Sequence, residues 1–357
     1  MERLRWRQRG GVGRQPTRGG RVGNQDRGGD LALPWLAATG RLLQACATPV
    51  VGTSAAPMQF DPRSLLALNV IIAVMMYGAA LSLRPRDFAR ILRSPVAPAI
   101  GLLAQFVLLP AFTCLAVWAG DIPAELALGM LLVACCPGGN FSNILTWLGR
   151  GNVATSVSMT AASSLAATVV TPLNFAFYVA LNPNTRPLVQ ALALDGMPML
   201  ELLLWVLAAP LVLGMATAHL RPTLAKTLER PMRLGAFAIL LLFVGIAFVT
   251  NAEVFRDHAG RIVPLAAAHN LAALCLGAAA AYAARLSAAD FRAVTMEVGV
   301  QNTGLGLIIL FNTFPDQAVT ILLTAFWGVP HLVTGLGLVW FWSRRPVVAP
   351  AGSTDSG

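Results

Sequence analysis

Residues 135–143 read CCPGGNFSN, and residues 297–306 read EVGVQNTGLG. Each stretch lies inside an apolar segment long enough to cross a bilayer, yet each carries residues that a membrane helix should avoid. Pro137 removes a backbone donor, and Gly138 and Gly139 bring no side chain to hold helical geometry, so the first helix should break there. Gly299, Gly304 and Gly306 should loosen the second in the same way. A break within hydrocarbon frees carbonyls and amides that lipid cannot bond, so it persists only where protein buries it or where it lines a wet cavity. Two interruptions in corresponding segments point to a transporter binding site.

The surrounding chain is 56% hydrophobic and 12% charged, with a mean hydropathy of +0.66. That composition excludes an ordinary soluble globule and predicts an all-α polytopic membrane protein. Spans are expected near 64–83, 95–118, 124–148, 153–180, 198–219, 233–250, 262–285, 294–312 and 318–342. A weak candidate at 31–51, interrupted by Pro34, Gly40, Arg41 and Gln44, makes the count nine or ten. Residues 1–30 hold eight Arg and eight Gly and are expected to form a disordered tail. Residues 31–63 form the weak first span or a linker, 64–343 the transporter domain, and 344–357 a cytoplasmic tail. The first apolar stretch begins only near Leu31, which argues against a secretory signal, and Met58 offers an alternative start.

The formal net charge of +10 does not point to nucleic acid, because the basic residues stand at the ends of apolar runs rather than on one polar face. One alternating set of connections, including Arg84, Arg150, Lys226, Arg285 and Arg344, holds thirteen Lys and Arg. The other holds four: Arg63, Arg186, Arg256 and Arg261. The positive-inside rule makes the first set and the C-terminus cytoplasmic, and ten spans would place the Arg-rich N-terminus there too. The segment LRPRDFARILRSP from Leu83 is similar to LRPTLAKTLERP from Leu220, and each precedes a broken helix by two spans. The halves, to about 182 and from about 198 to 343, are then five-span repeats. Because five is odd, the repeat is inverted. Cys46, Cys114, Cys135, Cys136 and Cys275 follow no metal or disulfide spacing and read as small buried apolar residues.

Glu297 is the only carboxylate placed deep within a span, where an ionised side chain costs about 2.5–3.5 kcal/mol. No Lys or Arg sits at comparable depth to pair with it. Its neighbours Gln301 and Asn302, with Gln105, Ser142, Asn143, Ser156 and Thr160 in other spans, offer the oxygen ligands that hard cations take. A protonated structural glutamate bonded to a neighbouring helix is the competing reading. Ser156 and Thr160, four residues apart on one helical face, serve either as ligands or as the hydroxyl glue of membrane helices. Ser158, Ser163 and Ser164 read as glue. His269 and His331 read as satisfied packing histidines in preference to proton relays, and no His or Cys cluster suggests a transition metal.

At these residues the chain resembles the bile acid:sodium symporter family over about 64–343. The resemblance rests on CCPGG-x-x-SN, on LGRGNVATSVSMTAASS-x-x-A-x-x-x-TPL, on the segment from Gln105 to Pro110, and on EVG-x-QN-x-GL. It implies two inverted five-helix repeats forming a panel and a core domain, with the two discontinuous helices crossing in the core. It implies two sodium ions. One is held by Ser142, Asn143, Ser156, Thr160 and Glu297, the other by Gln105, Glu297, Gln301 and the backbone oxygens of Val298 and Val300. Substrate contacts carry over to Asn140, Asn302 and His331. Family substrates are organic anions, from bile acids to small carboxylates. Asn140 and Phe141 stand where the family has smaller residues, which argues against bile acid itself, and Leu332 replaces an Asn frequent after the family's counterpart of His331.

The expectation is therefore a multi-pass protein of a bacterial inner membrane, monomeric or weakly oligomeric, without organic cofactor or enzymatic activity. It would couple sodium entry to organic-anion uptake by alternating access. The competing function is arsenite or oxyanion efflux by a related permease, with Cys135 or Cys136 as thiolate ligand. An enzyme or sensor has little support, because no nucleophile and base pair stands in the spans and no soluble catalytic domain is evident.

Overall fold

The computed structural model describes residues 91–191 and 209–344, together with Trp205 and part of the stretch 70–81. The expected tail, weak first span, most of the span at 64–83 and the first half of that at 198–219 lie outside the described residues. Within them the helices are α1 (Val96–Ala119), α2 (Ala124–Cys135), α3 (Phe141–Leu148), α4 (Val153–Leu181), α5 (Arg186–Ala191) and α6 (Ala209–Leu220). They continue as α7 (Pro222–Thr250), α8 (Ala252–Ala283), α9 (Ala288–Gly299), α10 (Thr303–Thr313) and α11 (Ala318–Ser343). Four of these, α1, α4, α8 and α11, are long and apolar enough to cross a membrane.

Both expected interruptions are present. The first spans Cys136 to Asn140, between α2 and α3, as the Pro-Gly-Gly run requires. The second is narrower than glycine content suggested: α9 ends at Gly299, α10 begins at Thr303, and Gly304 and Gly306 are helical. Gly306 is small for packing reasons. A Cβ there would stand 3.2 Å from Thr324 and 3.5 Å from the Cys136 sulfur.

Two expected connections, 220–233 and 251–261, are instead helical extensions of α7 and α8. Pro222 sits at the first position of α7, where its missing N–H costs no helical bond, and the following Leu, Lys and Glu residues favour helix.

α1 carries a π-helical turn at Ala104–Leu108. Pro110 has no N–H to give the Phe106 carbonyl four residues back, and Asn174 of α4 supplies the donor instead at 2.6 Å. The turn faces Gln105 inward, where it is 1% exposed. Between α3 and α4 the chain reverses through Gly149 and Arg150, the latter at φ 55, so that the two helices lie side by side. The largest apolar cluster joins α2 to α10 and α4 through Leu128, Leu132, Leu307, Phe311 and Phe175. Cys114, Cys135 and Cys136 are part of it, as small apolar residues.

Candidate functional site

The two interruptions cross. Gly138 and Gln301 form an isolated antiparallel bridge. In it the Gly139 N–H donates to the Val300 carbonyl at 2.7 Å, and the Asn302 N–H donates to the Pro137 carbonyl at 2.9 Å. Other freed carbonyls are met by side chains: Cys135 by Thr171 at 2.8 Å, Cys136 by Gln105 at 2.8 Å, Gly299 by Asn270 at 2.8 Å and Val298 by Gln301 at 2.7 Å. The bridging segments 136–139 and 300–301 are thus buried in protein and bonded, the condition for their survival at membrane depth.

Glu297, 1% exposed, ends its helix beside this crossing. Ser142 donates to its Oε2 at 2.5 Å, and Ser156 does so at 3.3 Å. Thr160 donates to Oε1 at 2.7 Å. Asn143 turns its Oδ1 toward the same group, 2.7 Å from Ser156 and 3.3 Å from Thr160. A Cβ on Gly138 would overlap the carboxylate, so only glycine lets the first crossing segment pass so close. Five residues named from sequence, on α3, α4 and α9, therefore meet around one carboxylate.

Gln105 and Gln301 form an adjoining pair. The Gln105 amide nitrogen donates to Gln301 Oε1 at 2.7 Å as well as to Cys136, which fixes the amide's orientation. Its Oε1 is left buried with no hydrogen-bond partner among the described residues. Such an orphan is costly, and it is an oxygen lone pair left available. Val298 and Val300 also stand here, their carbonyls each accepting one hydrogen bond and keeping a second lone pair.

On the other side of the crossing a small cavity is lined by Met76, Pro137, Asn140, Ser164, Leu211, Asn302 and Leu305. Asn140 stands at the cap position of α3 without spending its side chain there, whereas Asn302 caps α10 by accepting from the Leu305 N–H at 3.2 Å. Ser164, expected to be helix glue, is part of this lining and donates to nothing among the described residues. It follows Ser156 and Thr160 at steps of four on α4, a stripe that sequence spacing could have revealed. His331 is not among the lining residues. Its ring stacks edge-on against Trp327, 5.5 Å between centroids, and its Nδ1 is buried without a partner among the described residues, which differs from the satisfied histidine expected. His269 is satisfied: Trp327 donates to Nδ1 at 3.1 Å, which leaves Nε2 to carry the proton toward Thr113 at 2.9 Å.

Two of the four residues that meet the freed carbonyls, Thr171 and Asn270, were given no role by the sequence reading. Thr171 sits in the TPL motif, and Asn270 is itself held by Thr334 at 2.6 Å.

The model of the Sodium Bile acid symporter family matches residues 69–258, more than half of the chain. The chain belongs to this family. It is therefore a membrane transporter of a sodium-dependent family and not an enzyme. Relatives include the "Uncharacterized sodium-dependent transporter YocS" of Bacillus subtilis, 29% identical over 81% of this chain and 87% of that protein. A second, the "Probable sodium/metabolite cotransporter BASS1, chloroplastic" of Oryza sativa subsp. japonica, is 30% identical over 81% of this chain and 69% of its own length. The human "Ileal sodium/bile acid cotransporter" is 28% identical over 72% of each chain.

Proposed function

We propose that this member of the family is a secondary active symporter in which sodium entry drives uptake of a small organic anion by alternating access. The observation that carries the reading is the convergence of hydroxyl and amide oxygens from α3 and α4 on the carboxylate of buried Glu297, with no basic side chain among its hydrogen-bond partners in the described residues. One sodium ion binds Ser142, Asn143, Ser156, Thr160 and Glu297. A second binds Gln105, Glu297, Gln301 and the backbone oxygens of Val298 and Val300, and the orphaned Oε1 of Gln105 supports it.

These residues suit a hard cation because every donor is an oxygen. Hydroxyls can serve either state. Thr160 has a second acceptor in the Ser156 carbonyl at 3.1 Å, so its proton can leave Glu297 and its lone pairs turn to an ion. An ion shared by α3, α4 and α9 ties the crossing together. The substrate carboxylate then meets the N-terminal ends of α3 and α10, whose dipoles favour negative charge. Asn140 and Asn302 contact it, Ser164 offers a further hydroxyl, and His331 is a weaker candidate because it stands outside the lining. The narrow, partly apolar cavity suits a small carboxylate better than a steroid.

The reading includes two inverted five-helix repeats arranged as panel and core, residence in a bacterial inner membrane with the C-terminus cytoplasmic, and a monomer or weak oligomer. Arsenite efflux loses support. Cys135 and Cys136 are completely buried among apolar side chains, and among the described residues no three His, Cys, Asp or Glu side chains gather closely enough to hold a metal. The test is uptake of radiolabelled small carboxylates by proteoliposomes. Uptake is expected to fall to background when choline replaces sodium, and in Glu297→Gln. Uptake indifferent to both would overturn the reading.

A further inference from the structure

Asp290 lies at the start of α9, in a connection that sequence reading treated only as a charged cytoplasmic link. Its Oδ2 accepts from the Ser287 hydroxyl at 2.6 Å, and its N–H donates back to that hydroxyl at 3.1 Å. Ser287 is thus the N-cap of α9, and its hydroxyl accounts for one of the two carboxylate oxygens. The other oxygen has a different task. Oδ1 accepts from Asn152 Nδ2 at 2.8 Å and from Thr155 Oγ1 at 2.8 Å, across more than 130 residues, at the beginning of α4.

Helical geometry relates these contacts to the cation site. Asp290 and Glu297 are seven residues apart, two turns, so they share a face of α9 about 10 Å apart along its axis. On α4, Thr155 directly precedes Ser156, and Thr160 follows one turn later. The same two helices are thus joined twice by hydroxyls donating to a carboxylate, once at Glu297 deep in the membrane and once at Asp290 near its edge. The backbone reinforces the outer junction: the Asn152 N–H donates to the Ala289 carbonyl at 2.9 Å, and Arg292 Nη1 donates to the Gly149 carbonyl at 2.9 Å. Gly151 lets the loop approach, since a Cβ there would stand 2.8 Å from Thr146 and 3.1 Å from Arg292.

We infer that Asp290 is a positioning residue for sodium binding: through Thr155 and Asn152 it sets the register of α9 against α4, and with it the distances from Glu297 to Ser156 and Thr160. The inference rests on the sodium reading of the Glu297 cage. A helix able to slide or turn at its outer end would bring the carboxylate to the hydroxyls in many geometries, few of which coordinate an ion. Partners that orient metal ligands typically contribute about 10–100-fold to affinity.

The experiment measures the sodium concentration that gives half-maximal thermal stabilisation of the purified full-length protein, with choline keeping ionic strength constant. The same variants are reconstituted to separate half-saturating sodium from maximal uptake rate. Thr155→Val keeps the shape of the side chain and removes only its bond to Oδ1. It is expected to raise the sodium midpoint about tenfold, while Thr155→Ser restores it. Ser287→Ala removes the cap and leaves Oδ1 untouched, so it should lower the melting temperature in choline without moving the midpoint. Asp290→Asn, which keeps the volume and weakens both sets of bonds, should move both. A Thr155→Val midpoint within twofold of the wild type overturns the inference, as does an equal shift in Ser287→Ala. Wild-type protein that sodium does not stabilise overturns the sodium reading itself.

Discussion

Thr160 on α4 and Glu297 on α9 are joined by a 2.7 Å hydrogen bond across 137 residues of sequence. It is the one hydroxyl bond to Oε1 among the described residues, and it makes Thr160 a direct probe of the cage. Thr160→Val keeps the β-branched shape and removes the oxygen. Even residues that merely orient metal ligands contribute about 10–100-fold to affinity. Loss of this oxygen should therefore raise half-saturating sodium by at least about tenfold, with a smaller effect on maximal uptake at saturating sodium. Uptake titrated against sodium in proteoliposomes checks it.

Gly138 predicts a steric effect on the same carboxylate. Its absent Cβ is the space through which the first crossing segment passes Glu297, and the nearest atoms on that side all belong to the Glu297 side chain. Gly138→Ala must displace Glu297 or separate the crossing strands. Overpacking of this kind costs about 1–3 kcal/mol. The variant should melt earlier in choline and gain less stability from sodium than the wild type, as thermal-shift titrations would show.

Thr171 tests the structural side. Its hydroxyl meets the Cys135 carbonyl, freed because Pro137 and the glycines end α2. Thr171→Val leaves that carbonyl buried without its donor, at a cost of about 1–3 kcal/mol. The expected signature is a lower melting temperature in sodium and choline alike, with the sodium midpoint unchanged.

The positions of the breaks and of the cage were legible because they rest on chemistry carried by local sequence. The consecutive Pro137, Gly138 and Gly139 end a helix together, where single prolines such as Pro172 and Pro330 do not, and a lone carboxylate in apolar sequence demands oxygen partners whose type is visible. What secures the breaks was legible only in part, at Gln105 and Gln301. Thr171 and Asn270 look like any small polar residue of a membrane helix, and only the crossing shows which carbonyl each must meet. Gly304 and Gly306 misled for the related reason that glycine serves close packing as readily as helix breaking. The extensions of α7 and α8 were hidden because charged residues at helix ends read equally well as loop.

Ser164 predicts substrate selectivity. It continues the stripe of Ser156 and Thr160 into the cavity that Asn140 and Asn302 line, and it has no partner among the described residues. A neutral hydrogen bond contributes about 0.5–1.5 kcal/mol, or about two- to tenfold in affinity. Ser164→Ala should weaken lactate relative to propionate by that factor, because the two differ only in the hydroxyl. The sodium midpoint should not change. Competition of each acid against a transported label measures the ratio.

Gln105 predicts how uptake responds to voltage. Two sodium ions with one monoanion carry one net positive charge inward, and moving that charge through 100 mV is worth about 2.3 kcal/mol. That corresponds to about a fiftyfold difference in equilibrium accumulation, beyond what the sodium gradient provides. A potassium diffusion potential, negative inside, should therefore raise accumulation in proteoliposomes by this order. Gln105→Leu removes the amide whose Oε1 lacks a partner and whose nitrogen holds Gln301 and Cys136. If the second ion binds there, transport remaining in the variant should carry one sodium ion per anion and lose its dependence on potential. A wild-type accumulation unaffected by potential would mean that a single sodium ion accompanies each anion and that the orphaned amide oxygen is not an ion ligand.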